Sequence, residues 1–390
     1  MEERTRLYLR GRFGDHYRRT EVAPPPDAHA REWGYIPWTA GPDTTMVRHR
    51  SLLDLGELET FLADQRPQHV YFSGGRYEDP GASTMSAKEW VGADLVFDLD
   101  ADHLPAVTLG EDSYAEMLRK CREELLDLLA FLETDFGFEE LTIAFSGGRG
   151  YHVHVRDESV QEFESEQRRE IVDYVRATGL DFEAVLDREV VGGEAGRESP
   201  AEKRLLPTEG GWGRRVHARL LELVDELLAA DREEAVKRLQ SYDGIGERKA
   251  EAVLGAAERN RDAIARGNVD VHSSVVSLAS TVAEEVAAEE HAHIDEPVTT
   301  DTNRLIRLPG SLHGGTGLAV TRVDREDVAE FDPLVEAVPE TFRSQEVAVE
   351  VEDGGEVELG GQSFTIEEGV AVIPEYVAVF LMARGRAEKA

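Results

Sequence analysis

The chain has a single cysteine, Cys121, in 390 residues, which excludes a disulfide framework and any cysteine-built zinc site. Lysine is nearly as scarce, occurring only at positions 88, 120, 203, 237, 249 and 389, so the positive charge is almost all arginine. No run of about 18 apolar residues appears and no charged-then-apolar leader opens the chain, so a non-exported, cytoplasmic protein with no membrane partner is expected. Basic surplus is missing as well: 43 Lys and Arg face 79 Asp and Glu, a net charge of −36. Taken alone, that balance argues against nucleic acid as a partner, because such partners call for a basic footprint.

Two details weaken that exclusion. Many acids stand on helical stretches, as in Glu123-Glu124, Asp127 and Glu284-Glu285, where they form solvated faces. An acid-rich, Lys-poor but otherwise ordinary globular composition suits a cytoplasm of very high salt, where screening makes self-repulsion cheap. The charge therefore describes habitat rather than function. At this length a single core stops growing, and two or three units are expected.

The stretch around which the rest is organised is Asp94-Leu95-Val96-Phe97-Asp98-Leu99-Asp100. It has the composition of a short strand, and side chains two apart on a strand share a face. Asp98 and Asp100 then stand side by side, with Phe97 and Leu99 turned to a core. Paired carboxylates repel unless a proton or cation lies between them, and hard cations such as Mg²⁺ take carboxylate and phosphate oxygen.

A second strand, Leu141–Phe145, runs into Ser146-Gly147-Gly148-Arg149-Gly150 and emerges as Tyr151-His152-Val153-His154. Glycines let a backbone approach a ligand closely, and exposed amides with one Arg suit a phosphate chain. His152 and His154 share a strand face. Farther on, Arg307 and His313 flank a Pro-Gly turn, a second clamp for negative charge. Val70–Ser73 reads as a strand followed by Gly74-Gly75, residues 113–135 as a long amphipathic helix carrying Cys121 on its apolar stripe, and His293–Thr299 as sheet. Arg31 and Arg48 fall in strand-like pieces. Residues 156–285 read as largely helical, broken by a polar segment from Gly192 to Gly213. Within them, Asp243–Ala250 has the glycine pattern of a helix-hairpin-helix module or of an ordinary helix start. The apolar stretch Val370–Ala383 shows no chemical groups of note.

In this order the pieces resemble the small, catalytic subunit of DNA primases of the archaeal and eukaryotic type. Three motifs carry the likeness: Val96–Asp100, Ser146–His152, and the block from Asp295 through Leu305–His313. The resemblance implies an α/β (α+β) fold, a primase-type mixed sheet core flanked by helices with an inserted helical subdomain. It places the catalytic core in residues 1–155 and 286–330, the insertion in 156–285 and a small accessory region in 331–390. It implies that Asp98, Asp100 and Asp295 are catalytic and hold Mg²⁺ or Mn²⁺. It further implies that Ser146, Arg149, His152, Arg307 and His313 bind the nucleotide, with Arg31 and Arg48 as weaker pocket-side matches. No structural zinc is expected. The implied partners are a primase large subunit, single-stranded DNA template and nucleoside triphosphates, and the implied reaction is two-metal synthesis of short primers. A stand-alone repair polymerase of the same superfamily and a non-catalytic helix-hairpin-helix DNA-binding protein are the rival readings.

The charge makes one prediction. The screening length shrinks from about 10 Å at 0.1 M salt to about 3 Å at 1 M, which hides the distant acidic surface from a DNA template while leaving short contacts intact. Activity and melting temperature are both expected to rise as KCl goes from about 0.1 M toward multimolar values. A titration in which both peak near 0.1 M and then fall contradicts the high-salt reading.

Overall fold

In a computed structural model, which describes residues 1–39, 45–191 and 201–390, the strand Leu95–Asp100 alternates as its sequence requires. Leu95, Phe97 and Leu99 are fully buried, while Asp98 and Asp100 are half-buried on the other face. This strand is the edge of a four-stranded sheet, in the spatial order Thr321–Val323, Leu141–Phe145, Gly150–Val155, Leu95–Asp100. A second sheet sets Leu305–Arg307, His69–Tyr77, Arg31–Ile36 and Val47–Arg50 side by side, with Trp90–Ala93 also paired to His69–Tyr77. Helices accompany these sheets, so the α/β (α+β) class is as expected, and every pairing in the two sheets is antiparallel.

The chain divides into two units. One comprises Met1–Leu126, Phe138–Val172 and His293–Ala390, and holds both sheets; the other comprises Asp127–Gly137 and Asp173–Ala292. The second unit contains the helices Gly211–Ala229, Arg232–Gln240, Glu247–Ala265 and Ser273–Glu290, whose buried faces include Leu220, Leu223, Val253, Leu254, Leu278 and Val282. Gly244, at φ +68°, makes the turn between its second and third helices. A hairpin of Asp187–Val191 with Ala201–Leu205 occupies part of the region read as a polar interruption, and residues 192–200 of that interruption lie outside the described residues.

Several local expectations are corrected, each for a physical reason. The strand at His69 does not stop before Gly74-Gly75 but runs through both to Tyr77, because Gly75–Tyr77 pair with Trp90–Ala93; a side chain at Gly75 would come 2.6 Å from the Thr302 carbonyl oxygen. The long helix is α-helical over Tyr114–Ala130 and then widens to a π turn over Phe131–Asp135, closed by the Phe136 amide donating to the Phe131 carbonyl. His293–Thr299 is not a strand. Pro297 has no amide for a sheet and starts a short helix, Glu296–Thr300. Val370–Ala383 splits into the strand Gly369–Pro374 and the helix Glu375–Ala383, and its Glu375 carboxylate is completely buried.

Between the two sheets' strands lies a buried ionic cluster. Asp94 accepts from Arg31 Nη2 at 2.8 Å, from His154 Nδ1 at 3.1 Å and from Arg156 Nε at 3.0 Å. Arg168 donates to the carbonyls of Ala93 and Asp94, both at 2.9 Å. Burial alone would raise the Asp94 carboxyl; His154, Arg31 and Arg156 outweigh it and hold it far below the carboxylate range. His154 goes the other way from a paired cation: burial pushes it down to about 4 despite Asp94, so at neutral pH it donates as a neutral ring.

Both shifts act in one direction with pH. A carboxyl held low keeps its stabilisation above its unfolded value and loses it in acid; a histidine held low binds fewer protons folded than unfolded, so stability falls as pH drops from 6.5 toward 4. Each pH unit in that window costs about 1.4 kcal/mol per such histidine. Denaturation of wild type at pH 7 and pH 5 is expected to show a loss that shrinks by about 2 kcal/mol in His154→Asn. An equal loss in both proteins contradicts the assignment.

Candidate active site

The two aspartates are aimed by the register of their strand. Asp98 lies opposite His152 and Asp100 opposite Gly150, with the pairing continued to Leu95 and Val155. Gly150 is required there: a Cβ would fall 1.8 Å from the Leu99 carbonyl oxygen, closer than any atom can stand. The third carboxylate arrives through the main chain, since the Asp295 amide donates to the Asp98 carbonyl at 3.0 Å. Val96, Val298 and Ile306 pack into one buried cluster beneath this junction.

The glycine loop is folded around Ser146. Its buried hydroxyl oxygen accepts from the Gly148 and Gly150 amides at 3.4 and 3.3 Å, so two amides turn inward while the hydroxyl hydrogen is left for a ligand. Gly147, at φ +75°, could not carry a side chain, because its Cβ would sit 2.7 Å from that of His313. Arg149 pairs with Asp102 at 2.6 Å. His152 places Nε2 3.2 Å from Asp98 Oδ1, and its Nδ1 is buried without a partner, as is Nε of Arg307.

His313 differs in charge from its expected role as a cation. Burial, with Arg307, His69, Arg149 and Arg384 nearby, holds it well below 6.5. Its Nδ1 lies 3.1 Å from the Thr316 hydroxyl, which itself donates to the Gly147 carbonyl. Nδ1 must therefore be the donor, and Nε2 faces Gly148 as an acceptor.

Two cavities meet at the aspartates. One, about 430 Å³, is lined by Asp98, Asp100, Ser146, Arg149, His152, Arg307 and His313. The other, about 500 Å³, shares Asp98, Asp100, His152 and Arg307, and adds Asp295, Arg304, Arg48 and Tyr71. All eight residues expected at the site are thus brought to two adjoining cavities. A groove of about 510 Å³ elsewhere, at Arg122 and Phe331–Val335, has neither the paired aspartates nor the glycine loop. Burial raises Asp98, but His152, Arg307 and Arg304 prevail and hold it low. Asp295 is pushed up by burial and by the charges of Asp98 and Asp100.

Among the described residues no three His, Cys, Asp or Glu groups form a ready metal-ligand set. The donor chemistry still fits Mg²⁺ or Mn²⁺, because such ions take one or two carboxylates and complete their shell with water and substrate phosphate. Asp98 and Asp100 offer that pair beside a phosphate-sized cavity, and the mutual repulsion felt at Asp295 is what a cation relieves.

Of the two weaker matches, Arg48 lines the second cavity while pairing with the buried Glu32. Arg31 does not reach either: it is fully buried on Asp94 and on the carbonyls of Pro26, Ser73 and Gly74. Arg304 and Arg384 line the cavities without having been singled out. Arg304 could have been found three residues before Arg307 in the same block; Arg384 had no such signal.

Carboxylates paired on a strand thus open onto an arginine-lined cavity floored by a glycine loop. The family profile described as DNA primase small subunit matches residues 97–325. The DNA primase small subunit PriS of Haloarcula marismortui is 64% identical over 389 residues, covering 100% of this chain and 99% of its own. That of Halobacterium salinarum is 62% identical over 390 residues and the full length of both, and that of Methanococcoides burtonii 40% identical over 395 residues, covering 100% and 99%. The chain belongs to the DNA primase small subunit family.

Two glycines offer a test of how the site is held. Gly150→Ala is expected to break the Asp100–Gly150 pairing, lower the melting temperature sharply and abolish nucleotide binding, since forcing atoms into a packed site costs about 1–3 kcal/mol or more. Gly11→Ala, in the helix Glu3–Tyr17 with open space around it, is expected to stabilise by up to about 1 kcal/mol. Thermal melts of both variants check the pair; a Gly150→Ala protein that melts and binds as wild type refutes the close-approach argument.

Proposed function

We propose that this chain is the catalytic subunit of a DNA primase, a nucleotidyltransferase that joins nucleoside triphosphates into a short primer on single-stranded DNA. The observation that carries this reading is that Asp98 and Asp100 line both cavities at once. A triphosphate in the glycine-loop cavity and a second strand end or nucleotide in the other would then meet at the same two carboxylates. Full-length identity to proteins named DNA primase small subunit supports it, and that name implies a large-subunit partner.

Asp98 and Asp100, with Asp295 beside them, would hold Mg²⁺ or Mn²⁺, which would supply the charge that eases ionisation of the attacking 3′-hydroxyl and departure of pyrophosphate. The 3′ oxygen bonds to the α-phosphorus, the α–β bridge breaks, and the hydroxyl proton passes to solvent. The protein's own part is positioning and electrostatics. Arg149 and Arg307 offset triphosphate charge; Ser146 donates its hydroxyl hydrogen; His152, braced on Asp98, orients the carboxylate and lines the phosphate path. His313 takes up a proton as phosphate arrives and then donates from Nε2. No covalent nucleophile is needed.

The test supplies single-stranded template, labelled nucleotides and Mg²⁺ or Mn²⁺ with no primer. Wild type is expected to make short products, and Asp98→Asn, Asp100→Asn and Asp295→Asn to lose activity by a hundredfold or more. Asp295→Asn should melt at an unchanged or higher temperature, because it relieves carboxylate repulsion, whereas Asp98→Asn, which takes the anion from His152, Arg307 and Arg304, should melt lower. Extension of a supplied primer with no unprimed synthesis would favour the repair-polymerase reading, and near-normal synthesis by any variant would remove that carboxylate from the mechanism.

A further inference from the structure

The glycine-loop cavity has a wall that no motif supplies. Arg384, the residue after the helix Glu375–Ala383, lines it with Ala383, in the same cavity as Asp98 and Asp100. Its guanidinium stands 4.7 Å from the ring centre of Tyr114 and 5.2 Å from that of Phe380. Among the described residues no side-chain hydrogen bond or ion pair engages it. Burial, Arg386 and Arg149 all disfavour its charge, opposed by Tyr114 and Asp102. Arg384 is exposed, so its guanidinium faces solvent at the edge of this cavity with its donors open to an anion that enters.

The helix that carries it is anchored at both ends. Glu375, fully buried at the start of the helix, accepts from Arg12 Nε and Nη2 at 2.7 and 2.8 Å, from Gln345 at 2.7 Å and from the Tyr8 hydroxyl. At the helix's other end Phe380 packs on Tyr114 at 5.6 Å, and the Tyr114 hydroxyl donates to the Gly148 carbonyl of the loop. The ring that carries Arg384 is thus the ring that pins the loop. Arg384 belongs to the first cavity alone, whereas Asp98, Asp100 and Arg307 belong to both, so it lies on the side away from Asp295.

We propose that Arg384 binds the leaving-group end of the incoming triphosphate, making the C-terminal helix a structural part of the nucleotide pocket. This rests on the function proposed above. The β- and γ-phosphates lie farthest from the attacked phosphorus, and a fork of guanidinium donors recognises them bidentately.

The test titrates ATP, ADP and AMP, with Mg²⁺, against wild type, Arg384→Gln and Arg384→Lys, and records KM in primer synthesis and melting temperature. Wild type should prefer ATP over AMP; if it does not, the triphosphate reading of the whole cavity fails. Given that preference, Arg384→Gln should lower it about tenfold or more and raise KM to match, and Arg384→Lys should restore part of it. An unchanged ATP-to-AMP ratio in Arg384→Gln overturns the proposal and leaves the rest of the site standing. So does an equal loss for all three nucleotides, which marks a role in packing whatever the melting temperature does.

Discussion

Like charge gathered in one place is the constraint on which this structure turns. Asp98 and Asp100 share a strand face, and the main chain delivers Asp295 to the Asp98 carbonyl. Nothing about folding favours three carboxylates in one recess, so the surroundings must hold them. His152, Arg304 and Arg307 do this for Asp98, while Asp295 is left pushed up toward its neutral form. The same groups that permit the recess also line the cavities, so what lets the carboxylates coexist also faces whatever enters them.

A second ionic cluster shows the opposite solution to a similar problem. At Asp94 the arginines outnumber the acid and all are satisfied inside the protein. That cluster ties the strand carrying Asp98 to Arg31 of the neighbouring sheet, and none of its buried side-chain polar atoms is without a partner. The active-site recess keeps Arg307 Nε and His152 Nδ1 buried without partners. Buried polar atoms cost free energy when unmatched, so these two stand ready for a partner that the Asp94 cluster does not call for.

Much of the site was legible in the sequence because each motif is local. Asp98 and Asp100 two apart on a strand, Arg149 inside a glycine loop, and Arg307 and His313 about a Pro-Gly turn all follow from spacing. What escaped depended on tertiary contact. Arg31 has the look of a pocket residue until Asp94 is seen to claim it. His313 was expected charged, and only its burial next to His69 and three arginines makes it neutral. Pro297 sets a short helix where a strand was expected, and that signal stood in the sequence beside Asp295 and Glu296. Arg384 sits some seventy residues beyond the last motif, at the end of an apolar helix, and nothing before folding links it to the glycine loop.

The central claim is that the paired aspartates and the glycine loop act as one site. ATP affinity measured with and without Mn²⁺, in wild type and in a protein carrying both Asp98→Asn and Asp100→Asn, tests it most directly. Wild type is expected to bind ATP more tightly with Mn²⁺ present, and the double variant to lose that gain while keeping its metal-free affinity. A gain of the same size in both proteins would contradict it, because the carboxylates would then take no part in holding the metal-bound triphosphate.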